Sequence, residues 1–315
     1  MKKIINISTT SIATLEDFAP PFNLCHPDPE VSLDLGLSFL KTAGEQGSDL
    51  VCLPETFMAA GLPPEKISLI AESIPGKNFE KVCKCARDYK MNVVAGFFQF
   101  KNDRIHNIAA LINREGDLVG TYSKMHPTEQ EINLGVTPGS EVVVLETDFG
   151  RVGLAICFDL NWPSFWSELS DKKPDIVCWI SAYEGGFPLR SYAWMHQYPI
   201  VTSVWPYHSR VIDITGKIIA STSRWGRIAS CELNLDKRLF HTDLQSQKIQ
   251  SIQTKYGKQI RLETFTEEHL FTLESRDHNL TVKDVMNEFN LIDYQTYIER
   301  CNLAQAKSRS NDLEL

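Results

Sequence analysis

Hydrophobic residues alternate between helical and strand spacing as far as about residue 235. Leu33, Leu37 and Leu40 recur at helical spacing, whereas the short apolar run before Pro54 is typical of a buried strand. The predicted elements are single strands at 4–8, 49–54, 92–100, 175–180, 199–205 and 227–235, strand pairs at 107–113/118–123, 141–147/151–157 and 209–214/217–222, and helices at 31–45, 77–90, 163–170 and 188–197. Helices between single strands, together with hairpins, predict an α/β fold with mixed sheets.

The pattern becomes more polar beyond residue 240 and indicates helix, strand, strand and helix in turn. Thr281 and Asp284 have the spacing of an N-terminal capping box, which predicts a helix from there to Phe289, and a second helix is predicted over 293–301. Two short helices could be a DNA-binding helix-turn-helix, but residues 281–300 hold two basic and four acidic side chains. We therefore expect an arm that packs on protein.

Composition narrows the class of protein further. The 315 residues include 32 basic and 40 acidic side chains, a net charge of −8, which argues against a nucleic-acid surface. No apolar run is long enough for a membrane span. Met1–Lys3 imitate the start of a secretion signal, but polar residues from Asn6 onward interrupt it, so a cytoplasmic location is predicted. The eight cysteines contain no Cys-x-x-Cys pair, which predicts reduced thiols and no metal site.

Three reactive side chains each follow an apolar predicted strand. They are Glu55, Lys124 and Cys157. Functional groups in α/β folds collect at strand ends, where the sheet holds them rigidly. Taken singly, the Glu and the Lys also fit solvated loop residues, and the Cys also fits a core residue. The residues alone therefore leave this set as one candidate site among several.

The stretches around these side chains resemble the three signature blocks of the nitrilase, or carbon–nitrogen hydrolase, superfamily. They read Leu-Pro-Glu55-Thr-Phe, Tyr-Ser-Lys124-Met-His-Pro and Gly-Leu-Ala-Ile-Cys157-Phe-Asp-Leu-Asn-Trp-Pro. The resemblance implies a four-layer α-β-β-α sandwich as catalytic domain over 1–240. It also implies that 241–315 form a C-terminal arm, packing on the domain or a partner subunit, and that the chain forms a homodimer or a larger homo-oligomer.

The resemblance also implies a role for each residue. Cys157 would be the nucleophile, Glu55 the base and later the acid, and Lys124 the positive charge that stabilises the oxyanion. A second carboxylate is expected after the lysine, and counting back from Pro-Gly favours Glu131 over Glu129. No metal and no cofactor are needed, because the intermediate is a thioester that water hydrolyses.

This chain departs from the family pattern around the lysine. Ser123 stands where Arg is common, and His126-Pro127 replaces His-Leu, which puts the assignment of Glu131 in question. Residues 14–30 have the composition of a lengthened, Pro-rich loop near a pocket entrance.

The residues after the nucleophile indicate the branch. Phe158-Asp159 resembles amidases and carbamoylases, whereas true nitrilases typically carry Trp-Glu. Arg190 lies near the position of a carboxylate-binding arginine in carbamoyl-amino-acid hydrolases, although an ion pair with Glu184 or Glu168 is equally consistent with it. Aromatic residues that line the pocket, or belong to the core instead, are Phe158, Trp162, Tyr183, Phe187 and Trp194.

The sequence therefore predicts a thiol-dependent hydrolase of non-peptide C–N bonds. Its substrate would be a small linear amide or N-carbamoyl compound, with no nucleic-acid or membrane partner. The alternatives are a nitrilase that converts a nitrile to acid and ammonia, an acyl or amido transferase, and a catalytically silent binding protein. Retention of Glu55, Lys124 and Cys157 argues against the last of these.

Overall fold

The computed structural model describes residues 4–12 and 28–311. These residues form two compact units, one ending at Leu233 and one beginning at Asn234. Most of the predicted loop over 14–30 lies outside the described residues.

The described residues contain fifteen strands and nine α-helices. The strands are β1 (Ile4–Thr10), β2 (Leu50–Cys52), β3 (Asn92–Lys101), β4 (Arg104–Ile112), β5 (Leu118–Ser123), β6 (Val143–Glu146), β7 (Arg151–Ile156), β8 (Ile176–Ser181), β9 (Ile200–Val204), β10 (Arg210–Ile212), β11 (Ile218–Ser221), β12 (Ile228–Asn234), β13 (Arg238–His241), β14 (Ile260–Phe265) and β15 (Leu270–Ser275). The helices are α1 (Pro29–Glu45), α2 (Ile67–Ile70), α3 (Lys77–Tyr89), α4 (Glu129–Asn133), α5 (Pro163–Asp171), α6 (Phe187–His196), α7 (Ile249–Tyr256), α8 (Val282–Phe289) and α9 (Tyr294–Asn311).

The first unit is built on two six-stranded mixed sheets. One has the order β12-β1-β2-β3-β4-β5 and the other β11-β10-β9-β8-β7-β6. Adjacent pairs β1/β2, β2/β3, β7/β8 and β8/β9 are parallel, whereas the hairpins are antiparallel. The sheets face each other, because Ser203 Oγ of β9 donates to the Thr10 carbonyl at 2.8 Å and the Cys52 and Cys178 sulfurs lie 3.5 Å apart.

Helices cover the outer face of each sheet. The apolar faces of α1 and α3 pack with β2, β3 and β4 in one core cluster, to which they contribute Leu33, Leu40, Phe79 and Val82. On the other sheet, α5 lies so close to β7 that a Cβ added to Gly153 would be 3.1 Å from the side chain of Leu169. The predicted four-layer α-β-β-α arrangement is confirmed.

The second unit has its own three-stranded antiparallel sheet, ordered β13-β15-β14, and its own core. The fully buried side chains of Phe240, Phe271 and Val285 are among those that form this core. Thr281 and Asp284 make the predicted capping box at the start of α8. Helix α9 extends ten residues beyond the predicted end at 301, because Ala, Gln, Lys and Arg favour helix without supplying an apolar period. Whether this unit acts as an arm stays a prediction.

Two stretches of the chain are helical although the sequence predicted neither a helix nor a strand in them. Phe57–Ala59, Pro64–Lys66 and α2 form helical turns between β2 and α3, and α4 forms directly after the lysine block. They are too short to show helical periodicity in the sequence. Within the described residues, no helix is long and apolar enough to span a membrane.

Candidate active site

Cys157 lies at the carboxyl end of β7, in a tight turn. Its φ of 47° is left-handed, which is uncommon for a residue with a side chain, and it begins the 3₁₀ turn Cys157–Asn161. The Trp179 indole Nε1–H donates to the Cys157 carbonyl at 3.1 Å and holds this turn against β8. The thiol is 7% exposed. Strained backbone at a strand end is a recurrent feature of functional sites.

Glu55 follows β2 in the neighbouring sheet. Its segment lies against Gly96 of β3, where an added Cβ would be 2.7 Å from the Glu55 Cα and 2.4 Å from the Thr56 nitrogen. The Trp205 indole Nε1–H donates to the Glu55 carbonyl at 2.6 Å. Backbone and side chain of Glu55 are therefore held by both sheets, since the Ala182 N–H after β8 donates to its Oε2 at 2.8 Å.

Lys124 follows β5 and is 1% exposed. Its Nζ donates to Glu55 Oε1 at 2.9 Å and to Glu131 Oε2 at 2.7 Å. Burial lowers the pKa of Lys124, but the charges of its neighbours, above all Glu55, outweigh burial and raise it above the ordinary value. The side chain is therefore an ammonium at neutral pH, and it is shared by two carboxylates.

Glu131 occupies the third position of α4. Its backbone N–H donates to Thr128 Oγ1 at 3.2 Å, and its Oε2 accepts from the Thr128 N–H at 2.8 Å, which makes a capping box. Burial opposes ionisation, but the Lys124 charge and its hydrogen bonds lower the pKa of Glu131 overall. Glu129 begins the same helix and is exposed. The structure brings Glu131, and not Glu129, to the lysine.

Asn107 of β4 is a part of the site that sequence analysis did not identify. Its Nδ2 donates to Glu55 Oε1 at 2.7 Å and to Glu131 Oε1 at 2.9 Å. One buried amide therefore sets the separation of the two carboxylates. The available signal was a polar residue at the first position of a predicted strand, directly before its apolar run.

The surroundings of Cys157 favour the neutral thiol in the resting protein. Burial is the main cause of the raised pKa of Cys157, and the charge of Glu55 raises it further. Lys124 and a hydrogen bond with Ser181 act in the opposite direction but do not balance burial. The thiol therefore needs a base that takes its proton as it reacts, and Glu55 lines the same cavity.

Asp159 is fully buried and ties the nucleophile turn to the lysine loop. Its carboxylate accepts hydrogen bonds from Tyr122 Oη at 2.7 Å and from the backbone N–H groups of Ile156 at 2.9 Å and His126 at 3.1 Å. The His126 ring Nδ1 lies 2.8 Å from the same carboxylate. In the sequence this residue served only to indicate the branch of the family, because its partners Tyr122 and His126 are more than 30 residues away.

Of the four residues predicted to bind substrate, three lie in or against the nucleophile turn, namely Phe158, Trp162 and Tyr183. None of the four lines the cavity that contains the thiol, and neither do Trp194 and Phe187, which is 74% exposed. Tyr183 Oη donates to the Cys157 carbonyl at 3.4 Å, and burial raises its pKa to about 12. Trp162 stacks on His126 with ring centroids 4.1 Å apart, and its ring lies 5.2 Å from that of Phe158. Exposed Arg190 donates from Nε to the Gly216 carbonyl at 2.8 Å. Their contact with substrate stays a prediction.

A cavity of about 270 Å³ contains the reactive side chains described above. It is lined by Glu55, Thr56, Ala59, Leu62, Ile67, Phe98, Asn107, Lys124, Thr128, Gln130, Glu131, Leu134, Cys157, Ala182 and Trp205. It therefore brings together a thiol, two carboxylates and an ammonium, which can perform nucleophilic attack, proton transfer and stabilisation of an oxyanion. No cluster of metal-ligand type was found in the described part of the chain.

Comparison with known proteins gives consistent matches. The carbon-nitrogen hydrolase family profile matches residues 22–238. Omega-amidase NIT2 of Homo sapiens is 26% identical over 234 residues, which cover 64% of this chain and 82% of that protein. Deaminated glutathione amidase of Bos taurus is 26% identical over 172 residues, which cover 50% of this chain and 52% of that protein. The latter match spans about half of its relative.

Solved structures share the fold. An amidase from Nesterenkonia sp. superposes with a TM-score of 0.63 at 19% identity, over 74% of this chain and 92% of that one. Saccharomyces cerevisiae Nit3, a member of branch 10 of the nitrilase superfamily, gives 0.64 at 19% identity, over 82% of this chain and 96% of that one. The two-sheet architecture is thus the one found in these structures.

Proposed function

The chain belongs to the carbon-nitrogen hydrolase family, and from this premise we propose that it hydrolyses the C–N bond of a small linear amide or N-carbamoyl compound through a thioester on Cys157. The observation that carries the proposal is the shared ammonium of Lys124, held between Glu55 and Glu131 in the cavity that contains the thiol. Relatives named as amidases support an amide as the substrate class.

The first half of the reaction forms the thioester. Glu55 takes the Cys157 proton as the sulfur attacks the carbonyl carbon, and Lys124 stabilises the negative charge that develops on the carbonyl oxygen. Glu55 then gives the proton to the nitrogen, the C–N bond breaks and ammonia or an amine leaves. Glu131 keeps the ammonium in place, since it binds the same Nζ from α4.

The second half releases the acid. Water attacks the thioester carbon, Glu55 takes a proton from the water, and the C–S bond breaks to regenerate the thiol. In sum, an amide and water yield a carboxylic acid and ammonia. A transferase would differ only in this half, because an acceptor other than water would attack the thioester.

The test is an ammonia-release screen of the purified protein over amides, N-carbamoyl amino acids and nitriles. Cys157→Ala should lower turnover of any accepted substrate by about 10⁴-fold or more. Cys231→Ala is the matched control, because this cysteine is half-buried and does not line the cavity. Intact mass and peptide mapping after rapid quenching should locate an acyl adduct on Cys157.

Other outcomes separate the alternatives. Turnover of nitriles to acid in preference to amides would identify a nitrilase. Formation of hydroxamate in the presence of hydroxylamine, faster than formation of acid, would identify a transferase. If no compound is turned over and iodoacetamide alkylates Cys157 no faster than Cys231, the enzymatic proposal is wrong.

We also propose a homodimer in the cytoplasm. The cytoplasmic location is supported by unpaired cysteines throughout the described residues, which fit a reducing compartment. The dimer is supported by the family resemblance and by the exposed apolar side chains Phe187 and Met195 on α6, which are 74% and 63% exposed.

A further inference from the structure

The cavity next to the thiol has an extended apolar wall. Ala59, Ile67 and Phe98 belong to one small buried cluster, and Leu62, Leu134 and Trp205 pack against it. All six line the cavity. The segment between β2 and α3 supplies three of them, Ala59 and Ile67 from its helical turns and Leu62 from between these turns, so the segment that follows the base also shapes the space for the substrate.

The charge in the cavity is already balanced by the site itself. Among the described residues that line it, Lys124 is the one cation, and both Glu55 and Glu131 bind its Nζ. A second carboxylate brought by a substrate would meet two carboxylates and an ammonium that is already paired.

We infer that the preferred substrate is a neutral primary amide with an unbranched apolar acyl chain of about four to six carbons. This inference rests on the proposed amide hydrolysis and specifies its substrate class. A volume of about 270 Å³ lies at the small end of ligand pockets, which admits a compact acyl chain and not a large ring system. The apolar wall stabilises the chain, and the surplus of carboxylates disfavours an acyl group that ends in a charge.

Two amides of equal chain length give the decisive comparison. Pentanamide and glutaramate have the same five-carbon chain and differ only in a terminal methyl or carboxylate. We expect kcat/KM for glutaramate to be lower by on the order of 100-fold, because its carboxylate loses hydration without gaining a free cation. Along the series from propionamide to hexanamide, kcat/KM should rise about fourfold per methylene.

A positive charge placed in the wall should weaken the preference for the neutral amide. Leu62→Arg introduces a cation at a partly buried lining position, so the pentanamide/glutaramate ratio of kcat/KM should fall at least about tenfold. Leu69→Arg is the matched control, since Leu69 is 78% exposed and does not line the cavity, and it should leave the ratio unchanged.

The outcomes are distinct. Glutaramate turned over as well as or better than pentanamide by the unmodified protein would overturn the inference and leave the proposed hydrolysis intact. If neither amide nor any other releases ammonia, the proposed function fails, and the inference fails with it. The unmodified protein decides the question even where Leu62→Arg does not fold.

Discussion

The buried amide of Asn107 bridges the two carboxylates that bind Lys124. Both of its short hydrogen bonds are donated by Nδ2, to Glu55 and to Glu131. Hydrogen bonds to ionised groups are worth about 1.5–3 kcal/mol each. Asn107 is therefore a positioning residue, since it acts on substrate through the groups that it holds.

We predict that Asn107→Leu lowers kcat by about 10–100-fold with a smaller change in KM. The acidic limb of the pH profile of kcat/KM should move to higher pH, because the hydrogen bond from Asn107 lowers the pKa of Glu131 and its loss raises that pKa. Asn92→Leu is the matched control: Asn92 is equally buried in adjacent β3, and its amide binds Asp148 and the Asp49 carbonyl away from the cavity. An acidic limb that moves equally in both variants would contradict this role.

Glu131 links the site to stability at low pH. Burial opposes its ionisation, but the charge of Lys124 and the hydrogen bonds to the carboxylate together lower its pKa below the ordinary value of 4.5. Ionised Glu131 therefore stabilises the fold fully above pH 4.5, and this contribution is lost as the pH falls through the lower folded-state pKa. The opposite case is Lys124, whose raised pKa preserves its contribution at all pH values below the ordinary 10.5.

We predict that Glu131→Gln lowers the free energy of unfolding at pH 7 by about 1–3 kcal/mol and that this difference shrinks below pH 4.5. Urea unfolding at pH 7, 5 and 3.5 measures the difference. Glu129→Gln should behave as the unmodified protein, because Glu129 is exposed on the same helix. A difference that is independent of pH would show that Glu131 contributes by packing alone.

At the scale of single residues, the sequence was sufficient where chemistry is local. Glu55, Lys124 and Cys157 stand at strand ends inside recognisable blocks, and the structure gathers them in one cavity. Asn107 and Asp159 could not be identified in this way. Their importance depends on partners 24 to 52 residues away, and only the strand pairing brings these together.

Strand β3 positions the catalytic loop of the neighbouring strand through the absence of a side chain. At Gly96, a Cβ would lie 2.4 Å from the Thr56 nitrogen and 2.7 Å from both the Glu55 Cα and the Pro54 carbonyl oxygen. These are backbone atoms, so relief requires that the Glu55 segment moves. The element that carries the base is thus placed by the packing of β2 against β3.

We predict that Gly96→Ala lowers kcat/KM by at least about tenfold and costs about 1–3 kcal/mol of stability, because the loop shift moves Glu55 away from Lys124. Gly226→Ala is the control, since the nearest atom to its added Cβ is 3.8 Å away. Kinetics and thermal unfolding measured on both variants test this. Unchanged kinetics in Gly96→Ala would mean that the loop does not depend on this contact.

At the scale of elements, α9 extends ten residues beyond its predicted end. The long helices and strands of the first unit were predicted within a few residues, because their apolar faces repeat over several turns. The turns that line the cavity were not. Phe57–Ala59 and α2 are three and four residues long, and α4 is five, which is too short for a period to show. Of these elements, α4 has a capping box at Thr128, whereas the other two have no side-chain cap. They are held by packing such as that of Ile67 against Phe98 of β3, which is a tertiary contact.

At the scale of the whole molecule, the net charge of −8 and the two units bound the function without specifying it. The first unit contains the complete candidate site, and the second has a separate core around Phe240 and Phe271. The prediction that the second unit acts as an arm therefore does not depend on the proposed chemistry. Such an arm and an exposed helix face would act in the association of subunits.

We predict that the protein sediments as a homodimer and that Phe187→Glu with Met195→Glu converts it to a monomer. These side chains are exposed and, eight residues apart on α6, lie on the same stripe as Ser191. A stable dimer buries about 800 Å² per partner. Because a two-fold axis brings the same patch of both protomers together, each substitution would place two carboxylates in one interface. Sedimentation velocity from 1 to about 50 µM measures the effect.

Val31→Glu with Leu69→Glu, which adds the same charge at other exposed apolar positions, should leave the dimer intact. A protein that is monomeric throughout this range, or a dimer that survives both pairs of substitutions, would show that α6 does not form the interface.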